Sequence, residues 1–302
     1  MAAGASYFQT QDNLSIRYAS YAPDGPAAAG TVILLGGRAE FIEKHQETIE
    51  DLTHRHFAVY TMDWCGQGLS DRLLKDRQKG HVDSFDRHID DLDFFVETIV
   101  RPNAAFPLIF LAHSMGGHIA LRYLRRASAY FSGAILVSPM INIRTKSVPY
   151  PLARKLVRLA SRHNWSERYI PGASHYDPEQ KPFENNPLTN DPERFMDEKQ
   201  KIADNPALAI GGVTYGWLSA AFDSIDVMFA ADGWKKLTVP ILMLGGSADQ
   251  VISISAMQQM CQRLADCRCV IIQNAKHEIL KETNSIRRQF WHEFDQFIKK
   301  IM

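Results

Sequence analysis

Three residues of this sequence, in chain order Ser114, Asp249 and His277, have the types needed for nucleophilic acyl transfer. A serine hydroxyl attacks a carbonyl only beside a base, and the base needs an acid that orients it. Ser114 stands in Leu108-Ile-Phe-Leu-Ala-His-Ser-Met-Gly-Gly-His-Ile-Ala, which reads as an apolar strand, a sharp turn and a helix. Ala112 and Gly116, two positions away on either side, are small enough for strand and helix to close up around a strained turn. A helix starting after Ser114 aims its first amides at the place where negative charge develops. Asp249 follows one buried-strand pattern, in Leu244-Gly-Gly-Ser-Ala-Asp-Gln-Val. His277 follows the next, in Ile272-Gln-Asn-Ala-Lys-His-Glu-Ile. Alone, each reads as a turn aspartate or a loop histidine; at the ends of consecutive strands they read as acid and base.

Acyl transfer also needs two amide donors for the tetrahedral oxyanion. The backbone N–H of Met115, directly after the nucleophile, is one expectation. The backbone N–H of Arg38, in the loop Gly36-Gly37-Arg38-Ala39-Glu40, is the other. The Arg38 side chain reads equally well as a contact for an anionic substrate group and as half of an ion pair with Glu40 or Glu43. His113 precedes the turn, so its side chain is expected to project away from Ser114 in a structural role. Glu278 is a competing acid, but its place beside His277 on an extended loop points it elsewhere. Asp223 and Asp226 are expected at most on a pocket rim.

These residues need a scaffold, and the apolar pattern supplies it. Thr31–Leu35, Phe57–Met62, Leu108–Leu111, Ala134–Val137, Ile241–Leu244 and Val270–Ile272 are short runs that are apolar throughout, the pattern of strands buried on both faces of a parallel sheet. Amphipathic segments at Phe85–Val100, His118–Arg126, Ser253–Leu264 and Ser285–Ile298 read as helices. The alternation predicts an α/β fold with a doubly wound, mostly parallel sheet. Residues 5–21, turning at Asp12-Asn13, read as an antiparallel edge hairpin. From Pro139 to Pro240 no strand pattern appears, over far more chain than the roughly 30 residues a single crossover needs. The expected division is therefore a core of residues 1–140 and 236–302, with 141–235 inserted as a helical cap.

The chain has 302 residues, 34 basic and 34 acidic, which argues against a generally basic nucleic-acid binder. With 45% hydrophobic residues it is not a disordered chain. The first ten residues lack the pattern of a signal peptide, and no apolar stretch approaches a membrane span. Cys65 and Cys261 lack metal-ligand spacing, Cys267 and Cys269 sit two apart in a strand-like run, and all four read as reduced thiols of a cytoplasmic protein. The neutral total hides one bias. Residues 141–170 carry Arg144, Lys146, Arg154, Lys155, Arg158, Arg162 and Arg168 against Glu167 alone, a local excess of +6. Within it, Leu152, Leu156 and Leu159 share one helical face. That pattern suits an anionic membrane surface, here the inner face, or an ordinary helix with its leucines on the core and its basic face in water.

The motifs resemble those of the α/β-hydrolase superfamily. Within it the chain is similar to the lysophospholipase L2 and monoacylglycerol-lipase-like group, of the serine aminopeptidase S33 type. The carriers are Gly37-Arg38-Ala39-Glu40, Asp63-Trp-Cys-Gly-Gln-Gly-Leu-Ser-Asp-Arg72, Gly80-His-Val-Asp-Ser-Phe85, Ala112–Gly117, Gly245–Asp249 and His277–Leu280. Asn186–Arg194 and Thr214–Trp217 are similar to that group's cap. Gly36-Gly37 and Trp64-Cys65 depart from the commoner pattern and are expected to reshape the pocket wall. The resemblance implies an α/β-hydrolase fold, an acyl-enzyme on Ser114, His277 as base, Asp249 as its orienting acid, and no metal or organic cofactor. It implies an ester or lysolipid substrate and no nucleic acid. A carboxylesterase or aminopeptidase on a small substrate is the alternative; the latter would grip an amine with Glu184, Asp223 or Asp226. A non-catalytic hydrolase-like binding protein is the alternative of another class.

Overall fold

The computed structural model describes residues 5–25, 28–145, 148–180 and 182–302. The six apolar runs form six parallel strands: β3 (Gly30–Leu35), β4 (Phe57–Met62), β5 (Leu108–His113), β6 (Gly133–Val137), β7 (Ile241–Gly246) and β8 (Cys267–Ile272). The expected edge hairpin is β1 (Ser6–Gln9) with β2 (Ser15–Tyr21), and β2 joins the sheet antiparallel to β4. The order is β1-β2-β4-β3-β5-β6-β7-β8. Every residue of β3, β5, β6 and β7 is buried, because helices cover both faces of the central strands.

On one face lie α1 (Gln46–His54) and α8 (Asn284–Ile301), packing Ile49, Leu52, Phe290 and Phe294 against Val32, Leu34, Ile109 and Leu111. On the other lie α2 (Phe85–Phe95), α3 (Met115–Leu124) and α7 (Ile254–Arg263), packing Leu92, Ile119, Tyr123 and Met257 against Ile33, Leu35 and Phe110. Alternate residues of each strand thus supply the two cores. Helix α1 is absent from the sequence reading, since QETIEDLTH carries only two strong apolar positions.

Between β6 and β7 the described residues carry α4 (Tyr150–Ala160), α5 (Pro192–Asp204) and α6 (Tyr215–Ala230), and no strand of the sheet. This is the interval read as inserted. Lys146, counted in its basic excess, lies outside the described residues. Helix α4 corrects the ordinary-helix alternative. Leu152, Leu156 and Leu159 are 49%, 52% and 53% exposed. The side that packs carries Val157, which is buried, with Arg154 paired to Asp226 and Arg158 to Asp223 and Asp226 on α6.

A second correction concerns the cysteines. Cys261 on α7 and Cys267 on β8 form a disulfide, because the short turn between these elements brings them together; Cys65 and Cys269 are free thiols. Among the described residues, no helix is long and apolar enough to cross a membrane.

Candidate active site

Strand β5 ends at His113 and α3 begins at Met115, so the whole reversal falls on Ser114. Its backbone is driven to φ 51°, ψ −114°, which a non-glycine residue holds only when its surroundings fix it. They do so here. The Ser114 amide donates to Val137 O at 2.9 Å, and Ser114 O accepts from the Met140 amide at 2.9 Å. Glycine is required at 116: a Cβ there would lie 2.5 Å from Gly36 O, in the loop after β3. A Cβ on Gly37 would come within 3.0 Å of the Ser114 Cβ. The two glycines thus bring the Gly36–Glu40 backbone against the serine.

The Asp63–Arg72 segment holds that loop in place. Trp64 Nε1 donates to Gly36 O at 2.8 Å, and Gln67 Nε2 donates to Gly37 O at 2.7 Å. Gln67 Oε1 accepts from the Ala39 amide at 3.1 Å. Asp63 accepts from the Ile42 and Leu69 amides at 2.9 and 2.8 Å. Gly68 sits at φ +55° with the Asp63 carboxyl where its Cβ would be. The Trp64 departure therefore has a purpose that spacing could not reveal, an indole donor to the loop beside Ser114.

The strands β7 and β8 deliver the other two residues. Their loops interlock, with the Ala248 amide donating to Ala275 O at 3.0 Å. Ser114 Oγ lies 3.0 Å from His277 Nε2, and His277 Nδ1 lies 2.7 Å from Asp249 Oδ2. Asp249 Oδ1 accepts from the amides of Val251 and Ile252 at 2.7 and 3.1 Å. Burial opposes charge on Asp249. The bonds from His277 and these amides outweigh it and hold the carboxyl below its usual range. With Asp249 ionised, Nδ1 carries the proton and Nε2 is left free to accept from the serine.

Ser114 opens into a cavity of about 670 Å³. Its lining includes Met140, Ile143, Leu156, Val157, Ile170, Val213, Trp217 and Ile252, with Arg38 and Arg144 among them and, among the described residues, no carboxylate. Leu156, Val157, Val213 and Trp217 come from the interval between β6 and β7. That interval therefore forms part of the wall over the C-terminal ends of the strands, where α/β sheets bind ligands.

The chain matches the family model described as "Serine aminopeptidase, S33" over residues 26–284. The chain belongs to the S33 serine hydrolase family. It is 30% identical to lysophospholipase L2 of Escherichia coli strain K12, over 89% of this chain and 80% of that one. It is 29% identical to a Haemophilus influenzae protein named "Probable lysophospholipase L2", over 97% of this chain and 91% of that one. A soluble variant of monoglyceride lipase from Saccharomyces cerevisiae, solved with a substrate analog, superposes with a TM-score of 0.79. It is 16% identical and covers 100% of this chain and 96% of that one, which bears out the α/β-hydrolase fold.

In this S33 chain the competing residues go elsewhere. Asp223 and Asp226 are taken by Arg158 and Arg154, and neither lines the cavity; nor does Glu184, which is exposed. His118 accepts from Ser224 Oγ of α6 at 2.6 Å and is pulled down to about 3 by burial. Arg38 departs from the ion-pair alternative. Its Nη1 donates to Gly211 O at 3.1 Å, while Glu43 is bound by Arg17 and Glu40 by Lys44.

What sequence reasoning missed is a buried charge cluster behind His277. Lys44, 2% exposed, places Nζ 2.7 Å from Glu278, 2.8 Å from Glu198 on α5 and 3.3 Å from Glu40. Glu40 also accepts from the Gly37 amide and lies 3.0 Å from His113 Nδ1. His113 Nε2 donates to His277 O at 3.2 Å, so both of its nitrogens donate and the ring is an imidazolium. Burial alone would lower its pKa, but Glu40 reverses that and raises it. Lys44→Met would leave Glu198 and Glu278 without a cation in a buried site, while Glu40 keeps His113. The expected loss is about 3–5 kcal/mol in urea unfolding, with Lys44→Arg losing less. A loss below about 1 kcal/mol, the scale of an exposed pair, would show that the cluster is solvated.

Proposed function

We propose that the chain hydrolyses carboxylic esters through an acyl-enzyme on Ser114. The observation that carries this is the hydrogen-bonded sequence Ser114–His277–Asp249 at the floor of an apolar cavity. In this reading His277 Nε2 takes the Ser114 proton as Oγ attacks the carbonyl, then returns it to the leaving alcohol. Water, deprotonated by the same nitrogen, cleaves the acyl-enzyme. Asp249 holds the tautomer and stabilises the imidazolium. The amides of Arg38 and Met115 stabilise the oxyanion; both residues line the cavity with Ser114, and the tight approach at Gly37 and Gly116 supports that role.

The substrate class follows from the wall. A cavity of about 670 Å³ lined chiefly by aliphatic, Met and Trp side chains suits an acyl chain. Among the described residues its lining has no carboxylate to grip a peptide amine, which disfavours the aminopeptidase alternative. The named activities of the relatives, lysophospholipase L2 and monoglyceride lipase, point the same way. Residues 141–235 act as the cap that admits the chain. Long-chain lysophospholipid or monoacylglycerol esters are expected to be cleaved with about 10- to 100-fold higher kcat/KM than acetyl esters, each apolar methylene adding to binding. Equal or better turnover of acetyl esters would overturn the lipid assignment and leave a small-ester carboxylesterase.

The exposed face of α4 supports peripheral contact with a lipid surface. Leu152, Leu156 and Leu159 face water, Val148 and Trp165 are exposed nearby, and Leu156 also lines the cavity, so the apolar rim is continuous with the pocket. Leu152→Ser with Leu159→Ser, neither of which lines the cavity, should lower co-sedimentation with anionic vesicles about 10-fold and leave short-ester hydrolysis unchanged. Unaltered co-sedimentation would assign membrane contact to another face.

A further inference from the structure

Among the described residues, the cavity lining includes two arginines, Arg38 and Arg144, and no carboxylate. Arg38 Nη1 donates to Gly211 O at 3.1 Å, and Arg144 Nη1 donates to Asp249 O at 3.1 Å. Among the described residues, neither lies within ion-pair distance of a carboxylate. Glu198 attracts Arg38 only from farther off, and Lys44 already holds that carboxylate at 2.8 Å. Burial pulls the Arg38 guanidinium below its usual range.

Arg144 is exposed, so water can meet its remaining donors. For Arg38, which is partly buried, the lack of a carboxylate is unusual, since drawing an arginine out of water costs free energy unless its donors are matched. Elsewhere the fold matches them. Arg17 pairs with Glu43 and Asp63, Arg194 with Glu47 and Asp191, and Arg287 with Asp51 and Glu47. Arg72 lacks a carboxylate but donates to three carbonyls, of Gly68, Ser70 and Arg77. Arg38 spends one donor of its five on a backbone carbonyl and belongs to the lining of the apolar cavity that Ser114 borders.

We infer that Arg38 and Arg144 form a subsite for the phosphodiester of a lysophospholipid whose acyl ester is attacked by Ser114. The inference rests on the ester-hydrolase reading above and deepens it. Arginine presents parallel N–H donors that match two phosphate oxygens, and a phosphodiester carries its negative charge throughout the neutral pH range. The placement is consistent. Gly37, next to Arg38, abuts Ser114, and in a lysophospholipid only the glycerol unit separates the scissile carbonyl from the phosphate. The apolar lining then receives the acyl chain while the two arginines hold the head group. A neutral monoacylglycerol leaves both arginines unmatched, so the subsite discriminates between two lipids with the same acyl chain.

The test compares kcat/KM for 1-acyl lysophosphatidylethanolamine and a monoacylglycerol of the same chain, both below micelle formation. Wild type, Arg38→Met, Arg38→Lys and Arg144→Met are assayed, each first shown to be labelled by a fluorophosphonate. Arg38→Met should lower the lysophospholipid-to-monoacylglycerol ratio about 10- to 100-fold, since charge-assisted bonds are lost from one substrate only. Arg38→Lys should recover part of the ratio, and Arg144→Met should shift it in the same direction. A ratio unchanged in Arg38→Met and Arg144→Met, with both lipids cleaved, overturns the subsite and leaves the ester-hydrolase reading standing. Competition by inorganic phosphate that depends on Arg38, with an unchanged ratio, assigns the site to a free anion and overturns the lipid head group. A wild-type protein that cleaves neither lipid sinks the reading beneath the inference, and the inference with it.

Discussion

Ser114→Ala is expected to lower ester hydrolysis by about 10⁴-fold or more and to abolish labelling by a fluorophosphonate probe. The hydroxyl belongs to a residue that borders the cavity, and it lies 3.0 Å from His277 Nε2. Without it the histidine can at best activate water directly, and the acyl-enzyme path is closed. The amides of Arg38 and Met115 remain, so a small residual rate above solution hydrolysis is expected. The substitution should leave the fold intact. Alanine has the same backbone demand at φ 51°, and the bonds that hold the turn are made by main-chain atoms of Ser114, Val137 and Met140. Circular dichroism like that of the wild type, with no labelling, would locate the nucleophile. Labelling that persists in Ser114→Ala would move it to another residue and overturn the assignment. A wild-type protein that is itself unlabelled would favour the non-catalytic alternative.

What the sequence made visible was what repeats locally. The central strands are buried on both faces, so their residues are apolar without interruption, and the run lengths mark them. Ser114, Asp249 and His277 follow three of those strands directly, which is why their positions could be read without knowing the distances. The serine turn adds a steric requirement, small residues at 112 and 116, that leaves its own trace. The hidden features depend on contacts between remote segments. Lys44 meets Glu198 and Glu278, more than 150 residues away, and nothing about a lysine at 44 announces that it will be buried. Cys261 and Cys267 pair because α7 turns directly into β8, whereas the spacing looked uninformative. The α4 leucines have a clear helical period, but period alone does not say which face meets the protein. That depended on Asp223 and Asp226, on another helix. Asn186–Asn190 is similar: Leu188 O accepts from the Glu278 amide at 2.8 Å, and Thr189 Oγ1 donates to Lys281 O at 2.7 Å, tying the interval to the His277 loop.

Asp249→Asn should cost about 10⁴-fold in kcat while leaving the architecture in place. The carboxylate has two tasks that substitution separates. Oδ1 accepts from the Val251 and Ile252 amides at 2.7 and 3.1 Å, which an asparagine carbonyl oxygen can still do. Oδ2 accepts from His277 Nδ1 at 2.7 Å, and that position would then be an NH₂ donor. Facing a donor, His277 turns Nδ1 into an acceptor and moves its proton to Nε2, toward Ser114 Oγ. A protonated Nε2 cannot take the serine proton, so the attack step loses its base although every heavy atom stays in position. Fluorophosphonate labelling should slow in parallel rather than vanish, which separates this effect from loss of the nucleophile. Stability offers an independent check. The Asp249 carboxyl is held below its usual range, so its ionised form contributes stability above the unfolded value of about 3.9 and loses it as pH falls through the lower folded value. Asparagine has no such dependence. The wild-type advantage in urea unfolding should be present at neutral pH and close at strongly acid pH. An Asp249→Asn protein that retained wild-type kcat at neutral pH would show that another carboxylate orients His277, and the roles assigned here would have to be redrawn.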